Sequence, residues 1–144
     1  MKYKIKEFSK KNITSEFFTT LNNLSKTVKK NIKKGRKAFK HIQKNKNHRI
    51  FVAINEDEQV IGLTTLLIER KFIHEFGKLG HIEDVVVREG FEGNGIGGAL
   101  IEKAKKVAKK EDCYRIVLNC SDDNIKFYEK YGYKKKENEM ALEL

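Results

Sequence analysis

No stretch of this 144-residue chain is long and apolar enough to cross a bilayer as a helix. The opening Met1-Lys2-Tyr3-Lys4-Ile5-Lys6 also lacks the apolar centre of a secretory signal. Proline is absent, and no low-complexity linker or internal repeat interrupts the chain. Only two cysteines occur, Cys113 and Cys120, too few and too irregular for a disulfide framework or a metal site. These absences predict one domain spanning residues 1–144, a cytoplasmic setting, no membrane partner and no metal.

Acidic residues are missing from one long segment. From Lys26 to Arg49 there are 11 Lys or Arg residues and no Asp or Glu, so the net charge of +11 resides there. Val28, Ile32, Phe39 and Ile42 recur within it at near-helical spacing. The segment reads as one or two amphipathic helices, broken at Gly35, with lysines outward. Its lysines read first as a solvated face. A basic face also attracts polyanions and small anionic substrates. Phe39 is the one aromatic among them, so no stacking platform for nucleobases exists and nucleic acid is disfavoured.

Two phosphate-binding fingerprints are absent as well. Neither G-x-x-x-x-G-K-[ST] nor the spaced G-x-G-x-x-G with its later acidic residue occurs, which removes the ATP and dinucleotide readings. What stands instead is His81 to Gly98, HIEDVVVREGFEGNGIGG. A polar pair, Glu83-Asp84, leads into Val85-Val86-Val87, then a glycine-dense turn, then an apolar helical pattern. Strand, glycine turn and helix present free backbone N–H groups to an anion, and the helix dipole adds a favourable field. A diphosphate ligand follows as the first expectation.

Around it, alternation predicts strands at Tyr3–Phe8, Ile50–Ile54, Val60–Glu69 and Gly80–Val87, the middle two forming a hairpin across Asn55–Glu58. Helices are expected at Ser15–Val28 and Ile96–Lys109. Tyr114–Cys120 reads as a buried strand, and Ser121 as the N-cap of a short helix ending at Gly132. Met140, Leu142 and Leu144 alternate like a terminal strand. The sum is a mixed α/β domain, an antiparallel meander followed by a crossover helix and a parallel pair.

The glycine turn, the later strand and Asn124-Ile125-Lys126-Phe127-Tyr128-Glu129-Lys130-Tyr131-Gly132-Tyr133 together resemble the GNAT superfamily of N-acetyltransferases. Lys71-Phe72-Ile73-His74-Glu75 and Gly80-His81-Ile82-Glu83-Asp84-Val85-Val86-Val87 further resemble the glucosamine-6-phosphate N-acetyltransferases within it. The resemblance implies the GNAT fold, with acetyl-CoA held between two splayed parallel strands. It implies coenzyme contacts from Val85, Val86, Val87, Gly93, Asn94, Gly95, Ile96, Gly97, Gly98, Asn124, Phe127 and Tyr128. The amino-sugar phosphate would meet Thr27, Lys71, Phe72, Ile73, His74, Glu83, Asp84, Val85, Asn119 and Cys120. Tyr128 would assist the leaving thiolate, with Glu83, Asp84 and Asn119 beside the reacting amine.

Because residues alternate along a strand, Glu83 and Asp84 can share one side only if a bulge re-aims one of them. The resemblance also implies a homodimer whose partner subunit completes each sugar site. Three departures stand out: Glu92 where the superfamily has Gln or Arg, Asn119 where the family has an acidic residue, and no basic residue at Glu143-Leu144. Two alternatives remain at this point. One is the same chemistry on another amine, and the other is a non-catalytic acyl-CoA- or polyanion-binding protein.

Overall fold

The computed structural model describes all residues 1–144. Five strands form one sheet in the order β1-β2-β3-β4-β5: β1 (Tyr3–Glu7), β2 (His48–Asn55), β3 (Val60–Arg70), β4 (Lys78–Val87) and β5 (Cys113–Val117). The first four run antiparallel and β5 lies parallel to β4, so the predicted meander with a parallel pair is the observed topology. The hairpin turn over residues 55–58 is also as expected, with the Asn55 side chain accepting from the Gln59 N–H.

Period-two alternation loads both faces of the sheet. Along β2, Phe51 and Ala53 enter one apolar cluster while Val52 and Ile54 enter the other. The first cluster is covered by α4 (Ile96–Lys110), which buries Ile96, Leu100, Ile101, Ala104 and Ala108 at helical spacing. The second is covered by α1 (Ser15–Leu24) and flanked by α2 (Ile32–Ile42) through Phe8, Ile13, Phe18 and the partly buried Phe39. Thr14 caps α1 by accepting from the Phe17 N–H, and Asn31 caps α2 by accepting from the Lys34 N–H. A last short helix, α5 (Ile125–Glu129), follows β5, and a one-turn segment, α3 (Ile73–Phe76), joins β3 to β4.

Four expectations are corrected. First, α2 runs straight through Gly35, because that glycine admits Phe18, whose Cζ would lie 2.9 Å from an added Cβ. Second, Ile32, assigned to the apolar stripe, sits at the exposed helix start. Third, β5 ends at Val117 and is half-exposed rather than buried, since it is the edge strand of the sheet. Fourth, residues 133–144 form no strand, and Met140, Leu142 and Leu144 stand in solvent because no strand edge within the chain receives them.

Candidate functional site

The site is set by where β4 and β5 part. They pair from Lys78↔Cys113 to His81↔Val117, and beyond that point β4 continues with no ladder partner on its β5 side. The open stretch carries Glu83, Asp84, Val85, Val86 and Val87. A bulge lies in it: opposite β3, Leu63 pairs with Val86 but Thr65 pairs with Glu83, leaving an extra residue on β4. Asp84 takes up the slack in the left-handed region at φ 52. In consequence Glu83 and Asp84 are both exposed, as two adjacent strand residues can be only when the alternation is broken. The Thr64 hydroxyl donates to the Glu83 carbonyl across the same kink. Val85 and Val87 pack toward the α4 side and Val86 toward α1, so these valines offer the cleft backbone more than side chain.

The strand then delivers the glycine turn to the start of α4. Gly90, Gly93 and Gly95 all have positive φ, the last as the N-cap residue of α4. The N–H groups of residues 92–98 donate to no protein acceptor, while Ala99 begins the helical bonding to Gly95. Seven consecutive unpaired donors at a helix N-terminus form an anion cradle. Asn94 shapes it from within, its amide donating to the carbonyls of Phe91 and Glu92 at 3.1 Å each. Ile96 is 1% exposed and contributes backbone alone. Glu92 does not face this cradle as a free charge, because its carboxylate turns back to accept from the Gly90 N–H at 2.7 Å.

Gly97 and Gly98 also make room for a neighbouring element. A Cβ on Gly97 would lie 3.2 Å from Phe127 Cζ, and one on Gly98 would collide with the Tyr131 hydroxyl oxygen. The missing side chains let the aromatic face of α5 dock onto the first turn of α4. Phe127 then sits 5.2 Å from Tyr131 and 5.0 Å from Tyr128, and Tyr128 sits 6.0 Å from Tyr133, centroid to centroid. Tyr131 and Tyr133 were not singled out from the sequence, although aromatics at 127, 128 and 131 follow a helical spacing that marks a docking face. Tyr128 is 8% exposed, and its hydroxyl has no protein partner. Burial, and secondarily the nearby Cys120, raises its pKa above the usual phenol value, so it holds its proton. The Tyr133 hydroxyl is buried without a partner, and burial pushes its pKa up to about 12.

Asn119 and Cys120 lie exposed just past β5, where the strands have separated, and Asn124 donates to the Ser121 hydroxyl at 3.2 Å. Thr27 is exposed in the α1–α2 connection, bonded to Ser25. Tyr128 shares one apolar cluster with Val85, Val87 and Ile96, so α5, the open edge of β4 and the start of α4 are neighbours. Lys71, Phe72, Ile73 and His74 precede the other end of β4, whose first residue, Lys78, lies five strand residues or about 17 Å from Glu83. Lys71 there is paired with Glu69 at 2.9 Å, and His74 stacks on Tyr114 at 4.1 Å. The other oxygen of that Glu69 carboxylate meets His81 Nε2 on β4 at 2.8 Å, two residues before Glu83. No cluster of three or more His, Cys, Asp or Glu is arranged to hold a metal ion, and no helix is long and apolar enough to cross a membrane.

A parallel pair that splays at mid-sheet, with a bulged strand on one side and an amide cradle beyond it, is the frame of an acyltransferase fold. The model of the Acetyltransferase (GNAT) family matches residues 15–133, and the chain belongs to that family. Among named relatives, the glucosamine 6-phosphate N-acetyltransferase of Candida albicans is 44% identical over 84 residues, which are 58% of this chain and 56% of that protein. The chain therefore spans little more than half the length of this relative. Glucosamine 6-phosphate N-acetyltransferase 1 of Oryza sativa subsp. japonica is 31% identical over 144 residues, covering 97% of this chain and 86% of its own. The crystal structure of glucosamine-6-phosphate N-acetyltransferase from Arabidopsis thaliana superposes with a TM-score of 0.95 at 30% identity, covering 99% of both chains.

Proposed function

We propose that this protein is an acetyl-CoA-dependent N-acetyltransferase whose acceptor is the 2-amino group of glucosamine 6-phosphate. The product, N-acetylglucosamine 6-phosphate, would serve amino-sugar nucleotide synthesis in the cytoplasm. The observation that carries the reading is the open edge of β4, with seven unpaired amides at its far end and the unpartnered Tyr128 hydroxyl beside it. Those amides fit a diphosphate, and the β4 backbone beyond His81 fits the amide groups of a pantetheine arm. Bound acetyl-CoA supplies the thioester: the amine nitrogen bonds to its carbonyl carbon and the carbon–sulfur bond breaks.

This chain's residues do the rest. Glu83 and Asp84, held exposed by the bulge, receive the proton that the ammonium must lose, and the main-chain carbonyls at Asn119 and Cys120 accept hydrogen bonds from the amine. Tyr128 gives or shares its proton with the departing thiolate, a role suited to a phenol kept protonated by burial. Cys120 is not a nucleophile in this scheme, because no histidine or other general base accompanies it in its local motif.

A homodimer belongs to the same proposal. Phe72, Ile73 and Phe76 are 90%, 61% and 65% exposed, and His74, Glu75 and Phe76 all hold left-handed φ. Such strain, about 1–3 kcal/mol per residue, persists where surrounding contacts impose it. A second copy would cover these side chains and bring Lys71 and His74 to the bulge of its neighbour. Light scattering should then give twice the chain mass, and a monomer at micromolar concentration refutes the shared site.

The acceptor is tested by assaying thiol release from acetyl-CoA with glucosamine 6-phosphate, glucosamine, spermidine and a lysine peptide. Turnover confined to the sugar phosphate is expected, and equal turnover of glucosamine refutes phosphate recognition. Tyr128→Phe should lower kcat about 10- to 100-fold with KM for the sugar unchanged. An unchanged kcat removes Tyr128 from the mechanism.

A further inference from the structure

We propose that the hollow between α2 and the short turn at Lys10–Asn12 is a second ligand site, which takes a compact anion carrying several phosphate groups. The hollow measures about 600 Å³ and is lined by five cations, Lys10, Lys33, Arg36, Lys37 and Lys40. The four on α2 fall at i, i+3, i+4 and i+7 and so share one helix face, with Lys10 contributed from the opposite wall.

All five are exposed, and none forms an ion pair. The sequence supplies no relief either, since residues 26–49 contain no carboxylate. Five like charges carried by the side chains that line one hollow repel one another, and a multivalent anion is the ligand that converts this repulsion into attraction. A single phosphate would neutralise a minority of them, so the site selects clustered phosphates.

The hollow offers little to a nucleobase. Phe39 is its one aromatic lining residue and is engaged by Phe8, the rings near perpendicular at 5.1 Å. Position separates this hollow from the transfer cleft. It adjoins Phe8, just beyond the β1 end of the sheet, and β1 lies three strands from β4, about 14 Å across the sheet. Both soluble inositol polyphosphates and phosphoinositide headgroups carry the required chemistry.

The full chain is titrated calorimetrically with inositol hexakisphosphate, then sedimented with vesicles containing phosphatidylinositol 4,5-bisphosphate. One saturable site per chain is expected. The Arg36→Glu/Lys37→Glu pair should weaken it at least tenfold, and a control pair on α4, Lys106→Glu/Lys110→Glu, less than twofold. Circular dichroism checks that both pairs fold, and acetyl transfer by both should match the parent. Retention on vesicles identifies the lipid headgroup as the source, whereas binding of the soluble compound without retention identifies a free metabolite. Absence of saturable binding, equal loss in both pairs, or tighter binding of a uridine oligonucleotide overturns the proposal. None of these readouts depends on acetyl transfer, so this site and the catalytic reading can fail separately.

Discussion

Replacing Gly98 by alanine tests whether the contact between α4 and α5 holds the reacting groups in place. Gly98 has an ordinary helical φ, so alanine is compatible with the backbone and the new methyl group is the whole perturbation. That methyl would collide with the Tyr131 hydroxyl oxygen and sit 2.5 Å from Cζ and 3.0 Å from Cε1. To reach ordinary contact the ring must retreat by roughly 1 Å, an overpacking that costs about 1–3 kcal/mol. Alanine recovers up to about 1 kcal/mol of that through helix propensity. The net loss of stability should therefore be about 0–2 kcal/mol, read as a small fall in Tm.

The effect on turnover should be larger. Tyr131 packs on Phe127, and Phe127 packs on Tyr128, so the displacement is passed to the proposed proton donor. A misplacement near 1 Å costs on the order of 100-fold in rate. Steady-state kinetics should show kcat falling about 10- to 100-fold, with KM for the sugar little changed. In a Tyr131→Ala background the same substitution should cost far less, because the colliding ring is gone. Wild-type kcat in Gly98→Ala, or strictly additive losses in the double variant, would refute the coupling.

Glu92→Gln keeps an acceptor for the Gly90 N–H and deletes one negative charge beside the amide cradle. At roughly 8 Å in a water-like dielectric the charge is worth about 0.5 kcal/mol, so KM for acetyl-CoA should fall about twofold at low salt, and the gain should fade at 1 M salt. A rise in KM would mean that the carboxylate shapes the turn in a way the amide cannot reproduce. Tyr133→Phe removes a buried hydroxyl that bonds to nothing and should stabilise the fold by about 1 kcal/mol in urea unfolding. The pH dependence has a definite sign. The folded pKa is raised to about 12 from an ordinary value of 10.0, so the unfolded chain ionises first and stability declines as pH climbs through that window. The phenylalanine variant should lose less stability between pH 10 and 12, and parallel curves would contradict the burial of Tyr133.

The residues by themselves determined much of the architecture. Alternating apolar positions at 50–54 and 60–69 and the helical stripe from Ile96 are local patterns, and each became the expected element. The glycine turn was legible for the same reason, whereas the bulge between Glu83 and Asp84 followed only once the family resemblance placed both carboxylates on one side. Tertiary structure decided what depends on neighbours. Whether Gly35 breaks a helix or admits Phe18 turns on the ring that packs against it. Whether Glu92 faces a ligand or the Gly90 amide depends on a turn that closes in three dimensions. The fates of β5 and the C-terminal residues rest on which sheet edge remains open, and periodicity carries no information about edges. The docking of Tyr131 on Gly98 and the convergence of Lys10 with α2 join residues 33 and 23 or more positions apart, a distance that short-range patterns cannot bridge.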